Sequence, residues 1–360
     1  MEKYKKKIAI VISSLEIGGA EKMVLDLIEK IKECLDLKLF VIKKNFNSSY
    51  DLKAKELGID IIYLNHRIKI FSLTVAIKLK KELDKYKPDI IHSHLKASTY
   101  IYFYNLFNKN FKWIHTIHTI AKVDTKIIRR MFFRNLYNKK RINLIAVSKN
   151  VEHSAKVFYK NADIRVINNG INLNKFKKRS ANYSINNYGI NIINVGRLEV
   201  VKNHDYLLIE ISKLHKELRI NKLYLIGDGK RKDHINELIK KIEMQDVIEI
   251  ITYTSRVNEY LNMADIFVLS SIYEGMPLAV IEAMASGLII IATSAAKDVI
   301  IDNYNGFIID LKKDSLYIKL KQILEDISKY EYIRENALLT AKDYSINKMA
   351  NEYLGVYLEE

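Results

Sequence analysis

Short apolar runs recur along this chain with amphipathic stretches between them, and that alternation restricts the fold more than any other feature. Runs at 8–14, 37–43, 59–63, 89–92, 111–118, 142–147 and 164–167 read as strands buried on both faces of a parallel sheet. The segments 20–33, 72–87, 97–109, 122–139 and 149–160 lie between them and read as helices. Such a sequence builds a doubly wound sheet. The pattern breaks around 168–190, at Asn168-Asn169-Gly170, Lys175-Phe176-Lys177-Lys178-Arg179-Ser180 and Asn186-Asn187-Tyr188-Gly189. That composition is a linker's. A second alternation follows, with strands at 191–195, 222–226, 247–251, 265–269, 288–293 and 306–309. Its helices fall at 203–218, 230–243, 256–263, 277–286 and 312–328, and 331–358 is helical and polar-rich. With 360 residues the chain is too long for one typical core. The expected plan is an α/β protein of two Rossmann-like domains facing a central cleft. Residues 1–170 form the first domain, 171–190 the linker and 191–342 the second domain, with 343–360 following it. Ligands of such sheets bind at the carboxyl ends of the strands.

Composition removes several function classes. Cys34 is the only cysteine, so no internal disulfide forms, as suits a reducing cytosol. The basic start, Met1 to Lys7, runs into the short apolar Ile8-Ala9-Ile10-Val11-Ile12 and then Gly18-Gly19, which reads as a first strand and not a leader. No apolar stretch approaches the ~20 residues that span a bilayer. The net charge of +17 is spread along the chain and suits nucleic acid, an anionic membrane or anionic small molecules. No nucleic-acid reading motif is present, so that partner is not expected. Segment 122–141 is basic and aromatic; it either touches an anionic membrane surface or packs Ile127, Met131, Phe132 and Leu136 on the sheet with its cations in water.

Several loops at predicted strand ends carry chemistry. Gly18-Gly19-Ala20-Glu21 lets backbone approach a ligand in front of a helix N-terminus, or is a plain turn. Arg197 and Lys202 follow the first strand of the second half, where a guanidinium and an ammonium either clamp a diphosphate or stand as solvated loop charges. Gly227-Asp228-Gly229 ends the next strand. Asp89-Ile90-Ile91-His92-Ser93-His94 and Trp113-Ile114-His115-Thr116-Ile117-His118 end two strands of the first half. Alternation puts His92 and His94 on one face. No acidic or cysteine ligand accompanies them, which argues against a metal; His118 is placed to bond a sugar hydroxyl. The segment from Glu274 through Gly275, Met276, Pro277 and Leu278 to Glu282 places one acid on a loop before a helix and the other about two turns inside it. Pro277 takes the first helical position and Gly287 ends the helix. A helix tip between two carboxylates suits a nucleotide sugar, with hydroxyls at both ends and a diphosphate between.

Together, Gly18-Gly19-Ala20-Glu21, His118, Ala146-Val147-Ser148, Asn169-Gly170-Ile171, Gly196-Arg197-Leu198 with Lys202-Asn203, Gly227-Asp228-Gly229 and the Glu274/Glu282 pair resemble the retaining GT-B glycosyltransferases of family 4, over nearly the whole chain. The resemblance implies that Gly19 lies near the phosphates or acceptor, and that Arg197 and Lys202 hold the diphosphate. Glu274 would contact the donor sugar, Glu282 the ribose, the backbone of Met276-Pro277-Leu278 the phosphates, and His118 the donor sugar. It implies a UDP-sugar donor, a glycan or polyprenyl-diphosphate-linked acceptor, surface polysaccharide synthesis, a cytoplasmic enzyme peripheral to the membrane, and a C-terminal helix in 343–360 that crosses back to the first domain. With no Asp-x-Asp, no metal or other cofactor is expected. Two departures bear on sugar choice. Gly287-Leu288-Ile289-Ile290 stands where the family often has Gly-x-Pro-Val, and Ser294-Ala295-Ala296-Lys297-Asp298 replaces a common Gly-Gly turn. An epimerase on the same fold is the rival reading; it would release an altered sugar without an acceptor.

Overall fold

The computed structural model describes residues 5–16, 18–66, 71–121, 137, 142–176, 189–217, 220–252 and 254–359. Apart from Tyr137, the basic segment 122–141 lies outside these, as do linker residues 177–188. The chain divides into two compact units, Met1–Gly170 with Ile346–Glu360, and Ile171–Ser345.

In the first unit, seven parallel strands take the order β3-β2-β1-β4-β5-β6-β7. They are β1 (Lys7–Ile12), β2 (Asp36–Lys43), β3 (Asp60–His66), β4 (Ile90–His94), β5 (Lys112–Ile117), β6 (Asn143–Ala146) and β7 (Ile164–Val166). Helices α1 (Gly19–Ile31), α2 (Ser49–Glu56), α3 (Leu73–Tyr86), α4 (Ser98–Asn105) and α5 (Lys149–Phe158) connect them. Burial explains the strands: Ile8 to Ile12 are at most 1% exposed. Local chemistry explains the helix ends. Lys87 closes α3 in the left-handed region at φ 52°, and Pro88 then forbids continuation. Helix α2 is absent from the sequence reading. A capping box starts it, in which Ser48 and Asp51 satisfy each other's backbone N–H.

In the second unit, six parallel strands take the order β10-β9-β8-β11-β12-β13. These are β8 (Ile190–Val195), β9 (Ile220–Ile226), β10 (Ile248–Ile251), β11 (Ile266–Leu269), β12 (Ile289–Thr293) and β13 (Phe307–Ile309). Counted from β8, the order is 3-2-1-4-5-6, that of a Rossmann sheet, with its switch point between β8 and β11. The helices are α6 (His204–Glu217), α7 (Lys232–Lys241), α8 (Val257–Met263), α9 (Leu278–Ala285), α10 (Ser315–Glu325) and α11 (Glu331–Lys342).

The polar-rich stretch expected as helical over 331–358 is two helices, α11 and α12 (Ile346–Leu358), broken after Asp343. Helix α12 belongs to the first unit. It buries Ile346, Met349, Ala350, Tyr353, Val356 and Tyr357, a helical stripe that joins the core around β1 and α1. Tyr353 and Tyr357 are fully buried, and each such side chain contributes roughly 1.5–3 kcal/mol.

Candidate active site

The switch point of the second sheet gathers three loops. The loop after β8 (196–203) is fastened on both sides. Toward β9, Leu198 N–H donates to the Asp228 carbonyl (2.9 Å) and Arg231 N–H to the Leu198 carbonyl (3.0 Å). Toward β11, Ser270 Oγ donates to the Lys202 carbonyl (2.7 Å) and Ile272 N–H to the Val201 carbonyl (2.8 Å). Gly227 makes the first contact feasible: a Cβ there would lie 2.0 Å from the Gly196 carbonyl oxygen. So Gly227 packs backbone on backbone beneath Arg197.

Two sequence-predicted residues meet directly. Lys202 Nζ lies 2.5 Å from Glu274 Oε1, with both side chains largely buried. Ser271 Oγ donates to the same oxygen at 2.7 Å, and Thr293 Oγ1 fixes the Ser271 carbonyl at 2.6 Å. Glu274 Oε2 has no partner among the described residues and is left to accept from elsewhere. Arg197 stays apart from this pair. It is exposed and reaches Glu199 at 3.6 Å. Ser270, Ser271 and Thr293 escaped the sequence reading. Their only signal was position, directly after an apolar run.

Helix α9 begins one residue later than expected. Pro277 is its N-cap, at φ −82° and ψ 77°, and not its first residue, and its carbonyl accepts from Val280 N–H at 2.9 Å. Glu282 is therefore the fifth helical residue, little more than one turn in, where the sequence suggested two. Its side chain is 6% exposed. Gly275 lies on the loop before the helix, and Met276, Pro277 and Leu278 are buried at its start. Gly287, at φ 74°, ends α9. Leu288 N–H bonds to the Ala283 carbonyl and Gly287 N–H to that of Met284, a Schellman closure.

His204 opens α6 two residues beyond Lys202. It is 2% exposed, and neither ring nitrogen has a partner among the described residues. Burial, and after it the charge of Lys202, hold its imidazole down at about 4. The sequence offered the residue but no reason to single it out.

The remaining expected residues lie in the first unit. Gly18 is the extended N-cap of α1, with φ −171°, and Gly19 is the first residue of that helix. His118 directly follows β5, and its Nε2 is 3.0 Å from Nδ1 of His94, at the end of neighbouring β4. Burial first, then His115, holds the His118 imidazole down at about 3. His92 and His94 share a face as expected, their ring centroids 4.0 Å apart. Among the described residues no group of three His, Cys, Asp or Glu side chains is arranged to hold a metal ion. Nor is any helix there long and apolar enough to cross a membrane.

Two Rossmann-ordered parallel sheets, with charged side chains and close-packed glycines at the switch of the second, define the GT-B class of glycosyltransferases. Known proteins agree. The family profile described as Glycosyltransferase Family 4 matches residues 17–175, and that described as Glycosyl transferases group 1 matches residues 175–339. The chain belongs to this glycosyltransferase family. An uncharacterized glycosyltransferase of Haemophilus influenzae is 31% identical over 169 residues, which is 46% of this chain and 48% of the relative. The N-acetylgalactosamine-N,N'-diacetylbacillosaminyl-diphospho-undecaprenol 4-alpha-N-acetylgalactosaminyltransferase of Campylobacter jejuni is 27% identical over 167 residues, 45% of each chain. The chain thus spans about half the length of these curated relatives. Among solved structures, Anabaena HepE in complex with UDP and glucose matches with a TM-score of 0.84 at 16% identity, covering 98% of this chain and 99% of that one. At that identity the likeness is one of fold.

Proposed function

We propose that this chain transfers a hexose or N-acetylhexosamine from a nucleotide-diphosphate sugar, UDP-linked, to a glycan or polyprenyl-diphosphate-linked acceptor in surface polysaccharide assembly. The Lys202–Glu274 pair at the switch between β8 and β11 carries the reading. An ammonium has three donors; one is taken by Glu274, and the others suit diphosphate oxygens. Arg197 adds a guanidinium fork from the same loop, and the N-terminus of α9 adds the positive end of its dipole. Together they stabilise the charge that grows on the departing diphosphate. The open Oε2 of Glu274 accepts from a sugar hydroxyl, Glu282 from the ribose, and His118 bonds the sugar. Gly18 and Gly19 offer backbone to the phosphates or the acceptor.

The way Glu274 is held supports a retaining transfer. With Oε1 engaged by a lysine and a serine, the carboxylate serves as a hydroxyl acceptor and not as a nucleophile. The acceptor hydroxyl then attacks the anomeric carbon on the face the diphosphate leaves, and a diphosphate oxygen takes its proton. Since cationic side chains neutralise the diphosphate, turnover should persist in EDTA. A UDP donor is supported by the UDP complex of HepE, and a lipid-linked acceptor by the diphospho-undecaprenol substrate of the Campylobacter relative. Such an acceptor sits at a membrane, and the net charge of +17 suits anionic headgroups at its cytoplasmic face. Binding to anionic vesicles that weakens as salt rises is the expected result, and no binding in low salt would contradict it. The product's anomeric configuration tests the chemistry: a retained centre by NMR is expected, and an inverted one overturns the mechanism.

A further inference from the structure

Three histidines line the carboxyl ends of β4 and β5, and the chemistry above uses only His118. His92 is occupied: Tyr357 Oη lies 2.6 Å from its Nδ1 and Thr116 Oγ1 2.8 Å from its Nε2. The Thr116 hydroxyl is in turn 3.1 Å from Tyr353 Oη. The ring of His92 is thus locked to α12, and it packs against that of His94. His94 is fully buried; its Nδ1 meets His118 Nε2 at 3.0 Å, and its Nε2 has no partner among the described residues.

We infer that His94 is a positioning residue that holds His118 in the tautomer protonated at Nδ1, so that His118 presents an N–H donor from its remaining ring edge. Burial keeps both imidazoles neutral at pH 7, so one proton lies between them. If His118 supplied it, His94 would carry its own proton on Nε2, as a buried donor with no acceptor. If His94 supplies it from Nδ1, Nε2 is a bare lone pair. Orphaned buried N–H groups are the rarer of the two in folded proteins. With Nε2 accepting from His94, His118 carries its proton on Nδ1, which has no partner among the described residues. That N–H suits a sugar hydroxyl oxygen or a phosphate oxygen. This consequence for catalysis rests on the proposed function; the tautomer itself does not.

Histidine-labelled NMR of the ligand-free protein decides the matter. Wild-type His118 should show protonated Nδ1 and bare Nε2. His94→Ala should give a mixture of both tautomers, His94→Asn should restore the wild-type pattern through its amide N–H, and His94→Asp, an acceptor only, should move the proton to Nε2. Asn and Asp keep a polar side chain of similar bulk should the alanine variant fold poorly. A wild-type His118 protonated at Nε2, or His118 signals identical in wild type, Ala and Asp variants, overturns the inference. In turnover, kcat should fall roughly ten- to hundredfold in the Ala and Asp variants, the scale seen when a hydrogen bond that orients a working imidazole is lost, and recover in Asn. UDP, assigned to the second unit, should stabilise wild type and all variants alike. If UDP stabilises none of them, the nucleotide-sugar reading fails while the tautomer result still decides the role of His94.

Discussion

Lys202 and Glu274 are 72 positions apart in the chain and 2.5 Å apart in the fold. Replacing Glu274 by Ala leaves a partly buried ammonium without its partner. We expect a stability loss of about 1–3 kcal/mol in urea denaturation, and a fall in kcat of roughly 10²–10³-fold, the scale of lost electrostatic stabilisation. His204 gives a pH dependence. Its imidazole titrates near 6.5 when unfolded and at about 4 when folded. The unfolded chain therefore binds the proton first as pH falls. The contribution of neutral His204 is complete above pH 6.5 and is lost progressively toward pH 4. His204→Leu should accordingly lose about 2 kcal/mol less than wild type between pH 7 and pH 5. Equal losses would show that His204 does not titrate this way. At this scale the sequence was only partly readable. It supplied Lys202, Glu274 and His118 as single residues. It could not supply Ser271 under Glu274, a contact within one loop that leaves no periodic signal, or His94 against His118, which depends on β4 and β5 becoming neighbours.

Elements were more legible, because the strands are buried on both faces and leave continuous apolar runs that need no long-range knowledge. Thus β8, β11 and β12 lie within one or two residues of their expected places. Helix α2 was missed for the converse reason: it buries only Asp51 and Ala54 and carries no apolar stripe, so Ser48-x-x-Asp51 was its one signal. Pro277 moved to the N-cap because its ψ of 77° is not helical, which brought Glu282 one residue nearer the tip. Two glycines allow contrasting tests. At Gly287 a Cβ would have room, its nearest neighbour being Leu338 at 3.7 Å, so Gly287→Ala meets only the left-handed φ of 74°. It should cost roughly 1–2 kcal/mol by denaturation and spare UDP binding. At Gly227 the methyl would collide with the Gly196 carbonyl, so Gly227→Ala should displace the Arg197 loop and weaken UDP binding. Identical behaviour of the two variants would contradict this assignment of the loop.

For the molecule as a whole, the division into two units follows from the length and the interrupted alternation, and the last helix shows that the division is not sequential. Helix α12 follows the second unit in the chain, yet its tyrosines complete the core of the first and brace His92. Ending the chain after Ser345 should remove the cooperative unfolding of the first unit; an unaltered thermal transition would contradict that role. The central claim is that the second unit grips a nucleotide-diphosphate sugar through Arg197, Lys202, Glu274, Glu282 and the tip of α9. A thermal-shift panel of nucleotide sugars on wild type, Arg197→Ala and Glu282→Ala tests it most directly. UDP-sugars should raise the melting temperature of the wild type by several degrees, and either substitution should sharply reduce the rise. Equal stabilisation of all three proteins, or none by any nucleotide sugar, would contradict it.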